Sequence, residues 1–131
     1  MSGLAAKTSS AVASVLKDPS LFKQKIYIDG GWADADGGKA IDVTNPATGE
    51  TIGTIPNAGT QETRHAIEAA QRAWAGWRSM LASDRSAFLR KWAQLQTEHL
   101  DDLCKILTLE QGKPLSQARA EILSGIGYVE W

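Results

Sequence analysis

The first part of the chain alternates short apolar runs with turn residues, a pattern typical of β-hairpins. Ile26 and Ile28 fall on one face of a strand, residues 29–31 form a turn, and Trp32 resumes the strand. A second pair of apolar runs, at residues 40–43 and 51–55, is separated by an Asn-Pro and Thr-Gly turn at residues 45–50. The pattern predicts four short, mostly antiparallel strands.

From residue 60 onward the apolar positions recur at intervals of three and four, which predicts amphipathic helices. Thr60 is predicted to cap the first helix, with Glu62 in its first turn, and Ser83 to cap the second. The second apolar stripe is long for one globular helix. We therefore expect a break at residues 99–102, where Asp101 would cap a new segment.

The stretch EQGKP predicts the end of one helix and the start of another. Gly112 is the C′ residue of the earlier helix, and Pro114 suits the first turn of the last helix. Apolar positions continue to Trp131 without a capping signal. The apolar faces of these helices need a sheet to cover, so we expect the chain alone to expose apolar patches and to aggregate or pack loosely.

Composition limits the classes of function. The chain has 14 basic and 15 acidic residues, a formal net charge of −1 and 43% hydrophobic residues. A near-neutral chain provides no basic field for nucleic acid, and no apolar run is long enough to span a membrane. Residues 1–20 are interpreted as a flexible leader of a cytoplasmic protein. A mitochondrial signal at residues 1–17 is the alternative.

Few side chains are candidates for chemistry. Cys104 lies within an apolar stripe and is interpreted as a buried structural thiol. His65 and His99 lack the spacing of metal ligands and are interpreted as solvent-facing or capping residues. Asp101 and Asp102 form either a metal pair or, as we favour, a capping site with a neighbouring solvated carboxylate. The sequence predicts no metal site.

Glycine pairs and tryptophans offer two further alternatives. The pairs at residues 30–31 and 37–38 lack the spacing of a phosphate-binding loop and are interpreted as hairpin turns. The five tryptophans could form a stacking surface for bases or sugars. Trp74, Trp77 and Trp92 lie on apolar helical faces, which favours core packing or burial against missing partners instead.

The order of segments along the chain resembles the N-terminal part of the aldehyde dehydrogenase superfamily, most closely its succinate-semialdehyde dehydrogenase branch. The segments are YIDGGW, VTNPATGETIGTIPNAG, ETRHAIEAAQRAWAGWR, RKWAQL, LTLEQGKPLSQARAEI and YVEW. The resemblance implies an α/β fold. Residues 21–131 would form part of an NAD(P)-binding domain, with short antiparallel strands followed by three or four amphipathic helices, incomplete as a domain.

The resemblance implies a longer enzyme that oxidises an aldehyde to a carboxylic acid with NAD or NADP. The family places its catalytic residues in Pro-Trp-Asn, Glu-Leu-Gly-Gly and Gly-Gln-x-Cys segments, and none of these occurs here. Cys104 is therefore not the nucleophile. We expect the 131 residues alone to contain no catalytic or cofactor-binding residue, to bind no cofactor and to be inactive.

The last helix resembles the one that borders the family's substrate entrance, so Ala120 and Ser124 are candidates for lining it, with supporting packing as the alternative. The implied partners are the rest of the dehydrogenase chain and further copies in a dimer or tetramer, without nucleic acid or membrane. The preferred substrate is succinate semialdehyde, with glutarate semialdehyde or betaine aldehyde as alternatives. A non-catalytic helical interaction module is the alternative of a different class.

Overall fold

The computed structural model describes residues 12–131. Its strands are β1 (Ile26–Ile28), β2 (Gly31–Ala33), β3 (Ala40–Thr44) and β4 (Thr51–Pro56). Its helices are α1 (Thr60–Ser79), α2 (Ala82–Glu98), α3 (Leu100–Gln111) and α4 (Leu115–Glu130), and a 3-10 turn spans Pro19–Leu21. Residues 12–15 are also helical.

The four predicted strands form two antiparallel hairpins. Ile26 of β1 lies opposite Ala33 of β2, and the turn between them places Asp29 and Gly30 at φ 53° and 79°. Two consecutive positive φ angles match the twist of a tight hairpin. In the second hairpin β3 pairs with β4, and Ile41 lies opposite Ile55. Gly30 is therefore a hairpin-turn residue, as predicted, while Gly31 begins β2. Residues 37–38 lie in the connection between the two hairpins, so the prediction of a hairpin turn there was wrong.

The helix starts differ from the predicted caps. Gly59, not Thr60, is the N-cap of α1, and the Glu62 carboxylate accepts the Gly59 N–H at 2.8 Å. Leu81 is the N-cap of α2, so Ser83 lies inside the first turn. There the Leu81 carbonyl accepts the N–H groups of residues 84 and 85, both at 3.1 Å. The predicted caps were wrong because the extended backbone at each start lies one or two residues before the hydroxyl residue.

The predicted break in the long apolar stripe is present, and His99 occupies it. Its carbonyl accepts the N–H groups of Asp102 at 3.1 Å and Leu103 at 3.0 Å, which starts α3. Asp101 lies within α3 and does not cap it, so that part of the prediction was wrong. Its carboxylate instead pairs with Lys17 and Arg119, at 3.1 and 3.2 Å.

The EQGKP stretch separates two helices as predicted. Gly112 is the left-handed C-cap of α3, with φ 75°, and its N–H donates to the Thr108 carbonyl at 2.8 Å. Pro114 is the N-cap of α4 and not a residue of its first turn. Its ψ of 146° is extended, so the helix starts only at Leu115.

Two small apolar clusters hold the elements together. One joins Val12, Leu16 and Ile52, with Phe22, Val43, Ile106 and Leu109 packed against them. The other joins Leu100, Cys104 and Ala118, with Leu107 and Ile122 against them. The first cluster shows that residues 12–21, hereafter the N-terminal strap, pack between β4 and α3. The leader predicted at residues 1–20 thus includes packed residues from Val12 onward, and its earlier part lies outside the described residues.

Many large apolar side chains remain on the surface. Trp74 is 52% exposed, Phe88 60% and Trp92 55%. The helices therefore present the apolar patches that the sequence predicted, while the expected aggregation stays a prediction. Within residues 12–131, none of the helices combines the length and apolarity needed to cross a bilayer.

Candidate functional site

The two residues predicted to line a substrate entrance share the outer face of α4. Ala120 and Ser124 are one turn apart and both are exposed. Ala118 and Ile126, on the opposite face, are 0% and 7% exposed. Ser124 also borders a shallow depression of about 380 Å³ with Gly127, Tyr128 and Trp131. Within the described residues the outer face is therefore open, while the role of these residues at an entrance stays a prediction.

Cys104 lies on the inner side of α3 and is 4% exposed. Burial raises the pKa of its thiol above the ordinary value, and this effect outweighs the opposing charge of Arg119. A cavity of about 300 Å³ beside it is lined by Asp101, Cys104, Lys105, Leu115, Ser116 and Arg119. A buried thiol with a raised pKa is a poor nucleophile. The geometry agrees with the predicted structural role of Cys104.

The Asp102 carboxylate is the most buried charged group in the described residues, at 2% exposure. One carboxylate oxygen accepts the main-chain N–H of Lys17 at 3.0 Å, and the other accepts that of Asp18 at 2.8 Å. The Lys105 ammonium donates to the carboxylate at 3.2 Å and to the Val15 carbonyl at 2.8 Å. Side chains of α3 thus hold the N-terminal strap by its backbone. We call this arrangement the strap clamp.

The strap clamp changes the interpretation of the paired aspartates. The predicted capping site beside a solvated carboxylate was wrong, since Asp102 is buried and Asp101 caps nothing. Burial raises the pKa of Asp102, but the hydrogen bonds from Asp18, Lys17 and Lys105 outweigh it and lower the pKa to about 2. The main-chain donors of Asp18 and Lys17 lie 84 and 85 residues away along the chain, so no local sequence signal could have revealed their attachment to Asp102.

The remaining candidates do not converge on a metal site. His65 is exposed on α1, and His99 is half-buried at the break between α2 and α3. Among residues 12–131, no three His, Cys, Asp or Glu side chains are grouped so that they could hold a metal ion. The Asp101 carboxylate forms ion pairs with the Lys17 and Arg119 side chains, which lower its pKa.

The two most specific sequence motifs meet in space. In the turn at residues 45–50, the Asn45 side chain accepts the Ala47 N–H at 2.9 Å, and the Asn45 carbonyl accepts the Gly49 N–H at 2.8 Å. Pro46 of this turn lies against the end of α3. A Cβ atom at Gly112 would lie 2.8 Å from Pro46 Cγ. The EQGKP glycine therefore provides both a left-handed backbone and room for the turn.

Comparison with known proteins identifies the family to which this chain belongs. The sequence pattern of the Aldehyde dehydrogenase family matches residues 32–131, which is most of the chain. The chain belongs to the aldehyde dehydrogenase family. It is therefore part of a family of oxidoreductases, as the resemblance implied.

Aldehyde dehydrogenases that act on semialdehydes are similar to most of this chain. A glutarate-semialdehyde dehydrogenase of Pseudomonas putida is 55% identical over 116 residues, covering 88% of this chain and 24% of the relative. An NADP⁺-dependent succinate-semialdehyde dehydrogenase of Escherichia coli K12 is 50% identical with the same coverage. The chain thus spans about a quarter of the length of these relatives.

The aldehyde dehydrogenase fold is shown by solved structures as well. A succinate-semialdehyde dehydrogenase from Burkholderia pseudomallei matches with a TM-score of 0.87 and 51% identity, over 88% of this chain and 24% of that chain. The predicted α/β arrangement of short antiparallel strands followed by helices is confirmed, as is its correspondence to the N-terminal part of these enzymes.

Proposed function

We propose that these residues form the N-terminal part of an NAD(P)-dependent dehydrogenase that oxidises a semialdehyde to a carboxylic acid. The observation that supports this proposal is the 50–55% identity to enzymes named as succinate- and glutarate-semialdehyde dehydrogenases. Succinate semialdehyde is our first candidate substrate. Glutarate semialdehyde is an alternative that the 55% identical relative supports equally well, and betaine aldehyde is a further one.

The contribution of these residues to such an enzyme is structural. The strap clamp ties the N-terminal strap to α3, and the contact between Pro46 and Gly112 ties the second hairpin to the end of the same helix. α4 packs on both α2 and α3, so its outer face is held in a defined position. We propose that this rigid support places Ala120 and Ser124 beside the path of the substrate.

The described residues do not fit a dinucleotide site. Gly30 lies in a hairpin turn and residues 37–38 lie in the connection between the two hairpins. The strands form no parallel sheet with a helix following a glycine-rich turn. When bound to the complete enzyme, NAD(P) would accept a hydride from the substrate, but we assign none of these residues to holding it. The buried Cys104 is unsuited to covalent catalysis, so we propose that the 131 residues alone are inactive.

Assembly and location complete the proposal. We propose a dimer or tetramer of the full enzyme, as the family resemblance implies, and light scattering on the active enzyme tests it. We propose the cytoplasm as the compartment, with the mitochondrion as the alternative. The burial of Val12 and Leu16 argues against a cleaved signal over residues 1–17, because its removal would take away part of the packed strap.

The intact mass of the protein in its native source, followed by a dehydrogenase assay, tests the proposed function. We expect a mass of several times 14.1 kDa, and reduction of NAD⁺ or NADP⁺ that depends on a semialdehyde. Values of kcat/KM for the three candidate aldehydes, each with both cofactors, rank the substrates. A mass near 14.1 kDa without dehydrogenase activity would favour the helical interaction module, which the exposed tryptophans also permit.

A further inference from the structure

An ion pair joins the EQGKP loop to the last helix. The Lys113 ammonium contacts the Glu121 carboxylate, eight residues further along the chain. The two side chains are 25% and 52% exposed, so Lys113 is the more enclosed partner. No side chain caps α4 at Pro114, and the first turn of the helix holds no acidic residue. The ion pair is thus a polar side-chain link between the loop and the second turn of α4.

Glu121 lies at the edge of the outer face of α4, beside the residues predicted to border the substrate path. At about 100° per residue, Glu121 is about 60° around the helix from Ser124. The other two charged residues of α4, Arg119 and Glu130, are about 140° and 120° from Ser124. Glu121 is therefore the charged residue of α4 that is closest to Ser124 around the helix.

The charge of Glu121 bears directly on the proposed substrates. A succinate or glutarate semialdehyde carries a carboxylate at neutral pH, since carboxyl groups ionise near about pH 4. An unpaired Glu121 would repel such an anion, and the low-dielectric walls of an entrance strengthen the repulsion. The Lys113 ammonium supplies the opposite charge in contact with the carboxylate, so the pair is neutral as a unit.

We propose that the Lys113–Glu121 pair is a charge screen at the substrate entrance, which keeps the path beside Ser124 neutral and so admits anionic aldehydes. This inference rests on the proposed function and adds to it two residues that set the preference between an anionic and a neutral aldehyde. The pair acts on substrate entry and not on the chemical step, so its effect belongs to KM and not to kcat.

Steady-state kinetics of the full-length enzyme at low ionic strength test the inference with two aldehydes of equal length. Succinate semialdehyde is the anion, and butanal is its neutral counterpart; glutarate semialdehyde and pentanal form a second such pair. Lys113→Gln leaves Glu121 unpaired and should lower kcat/KM for the semialdehyde, relative to the neutral aldehyde, by at least about twofold. This is the factor that one unit charge produces across about 8 Å of water. Glu121→Gln leaves the ammonium unpaired and should raise the same ratio by a similar factor.

Controls separate the charge of the pair from its support of α4. The double variant Lys113→Gln/Glu121→Gln has no charge at either position and should restore the wild-type ratio. Lys25→Gln is the matched control, because it removes one cation from the exposed ion pair with Asp34 on the first hairpin, and it should leave the ratio unchanged. At about 1 M salt the differences between variants should disappear, since the Debye length is then about 3 Å.

The outcomes that overturn the proposal are distinct. Equal losses with the charged and the neutral aldehyde would mean that the pair only positions α4. An unchanged ratio in both single variants, or a lower ratio in Glu121→Gln, would also overturn it. If Lys113→Gln does not fold, the rise expected for Glu121→Gln still decides the question.

The same measurements separate this inference from the proposed function. A wild-type enzyme that oxidises neither semialdehyde would contradict the proposed function and with it the charge screen. An active wild type whose substrate ratio is unchanged in the variants would contradict the charge screen alone.

Discussion

Replacement of Asp102 by alanine removes the acceptor for the main-chain N–H groups of Lys17 and Asp18. It also leaves the Lys105 ammonium without its carboxylate partner. The wild-type contacts have lengths of 3.0, 2.8 and 3.2 Å, and the Asp102 side chain is only 3% exposed. Because the strap itself is partly exposed, water can replace some of what is lost. We therefore expect the strap to open more often without the rest of the fold unfolding.

The size of the effect follows from two estimates. Hydrogen bonds to a charged group contribute about 1.5–3 kcal/mol each, and partial access of water to Lys17 and Asp18 brings the expected total to about 2–3 kcal/mol. The pKa of Asp102 gives a second value. A fall from 3.8 to about 2 corresponds to roughly 2.5 kcal/mol at neutral pH. Both values describe the same hydrogen bonds, so together they give one order of magnitude for the effect.

Amide hydrogen exchange at residues 17 and 18 measures this opening directly. In Asp102→Ala we expect exchange at both amides to accelerate by about 30- to 150-fold, the factor that corresponds to 2–3 kcal/mol. Asp101→Ala is the matched control, since it removes the same charge from the adjacent position of α3. The Asp101 carboxylate is 57% exposed and contacts the Lys17 and Arg119 side chains, so exchange should change little.

Two results would refute this account of the strap clamp. Equal acceleration in both variants would mean that the charge of α3, and not the two N–H bonds, holds the strap. Unchanged exchange in Asp102→Ala would mean that the apolar contacts of Val12 and Leu16 suffice.

Four further outcomes are expected. Gly112→Ala should lower the unfolding free energy of the full-length enzyme by about 1–2 kcal/mol in urea denaturation, since it forces a left-handed alanine against the proline of the 45–50 turn. Gly125→Ala should be neutral or stabilising, because a Cβ at this helical position would meet no atom within 4 Å beyond its chain neighbours and its own helix backbone. Equal losses in the two variants would contradict the argument. Ser124→Trp should raise KM for the semialdehyde several-fold with kcat nearly unchanged. Ser116→Trp, near the start of α4, should leave KM unchanged. Identical kinetics in the two variants would show that Ser124 does not line the substrate entrance. Because the folded pKa of Asp102 is depressed, its contribution to holding the strap is present above about pH 4 and is lost as the pH falls through about 2. Asp102→Asn should show no such loss when amide exchange at residues 17 and 18 is corrected for the intrinsic effect of pH. Parallel pH profiles of exchange in the wild type and in Asp102→Asn would refute the assignment of the loss to Asp102. The isolated 131 residues should self-associate in light scattering because of their exposed aromatic side chains, and a monodisperse monomer with a sharp unfolding transition would show otherwise.

Features encoded by neighbouring residues were predictable from the sequence. The hairpin at residues 26–33 follows from Asp29 and Gly30, which occupy positive φ, and the end of α3 follows from Gly112. The break at His99 follows from the length of the apolar stripe. In each case the turn chemistry and the periodicity of apolar residues lie within a few positions of the feature they determine.

Features that depend on distant partners were not predictable in the same way. Asp102 looks like a first-turn carboxylate in the sequence, and its partners at residues 17 and 18 become neighbours only through the fold. The packing of Val12 and Leu16 against Ile52 is likewise invisible in a segment rich in serine and alanine. The outer face of α4 was recognised only through family resemblance, since Ala120 and Ser124 have no distinctive chemistry of their own.

The strap clamp has a consequence for how such enzymes can vary. Asp102 and Lys105 contact only main-chain atoms of residues 15, 17 and 18, so they impose little requirement on the side chains there. Proline is the exception at positions 17 and 18, because it has no N–H to donate. The side chains at positions 15, 17 and 18 are therefore free to diverge, whereas Val12 and Leu16 are fixed by their packing against Ile52. A different leader can be joined upstream of the strap without loss of this attachment. A targeting sequence for another compartment can therefore be added at the N-terminal end while the fold that follows remains unchanged.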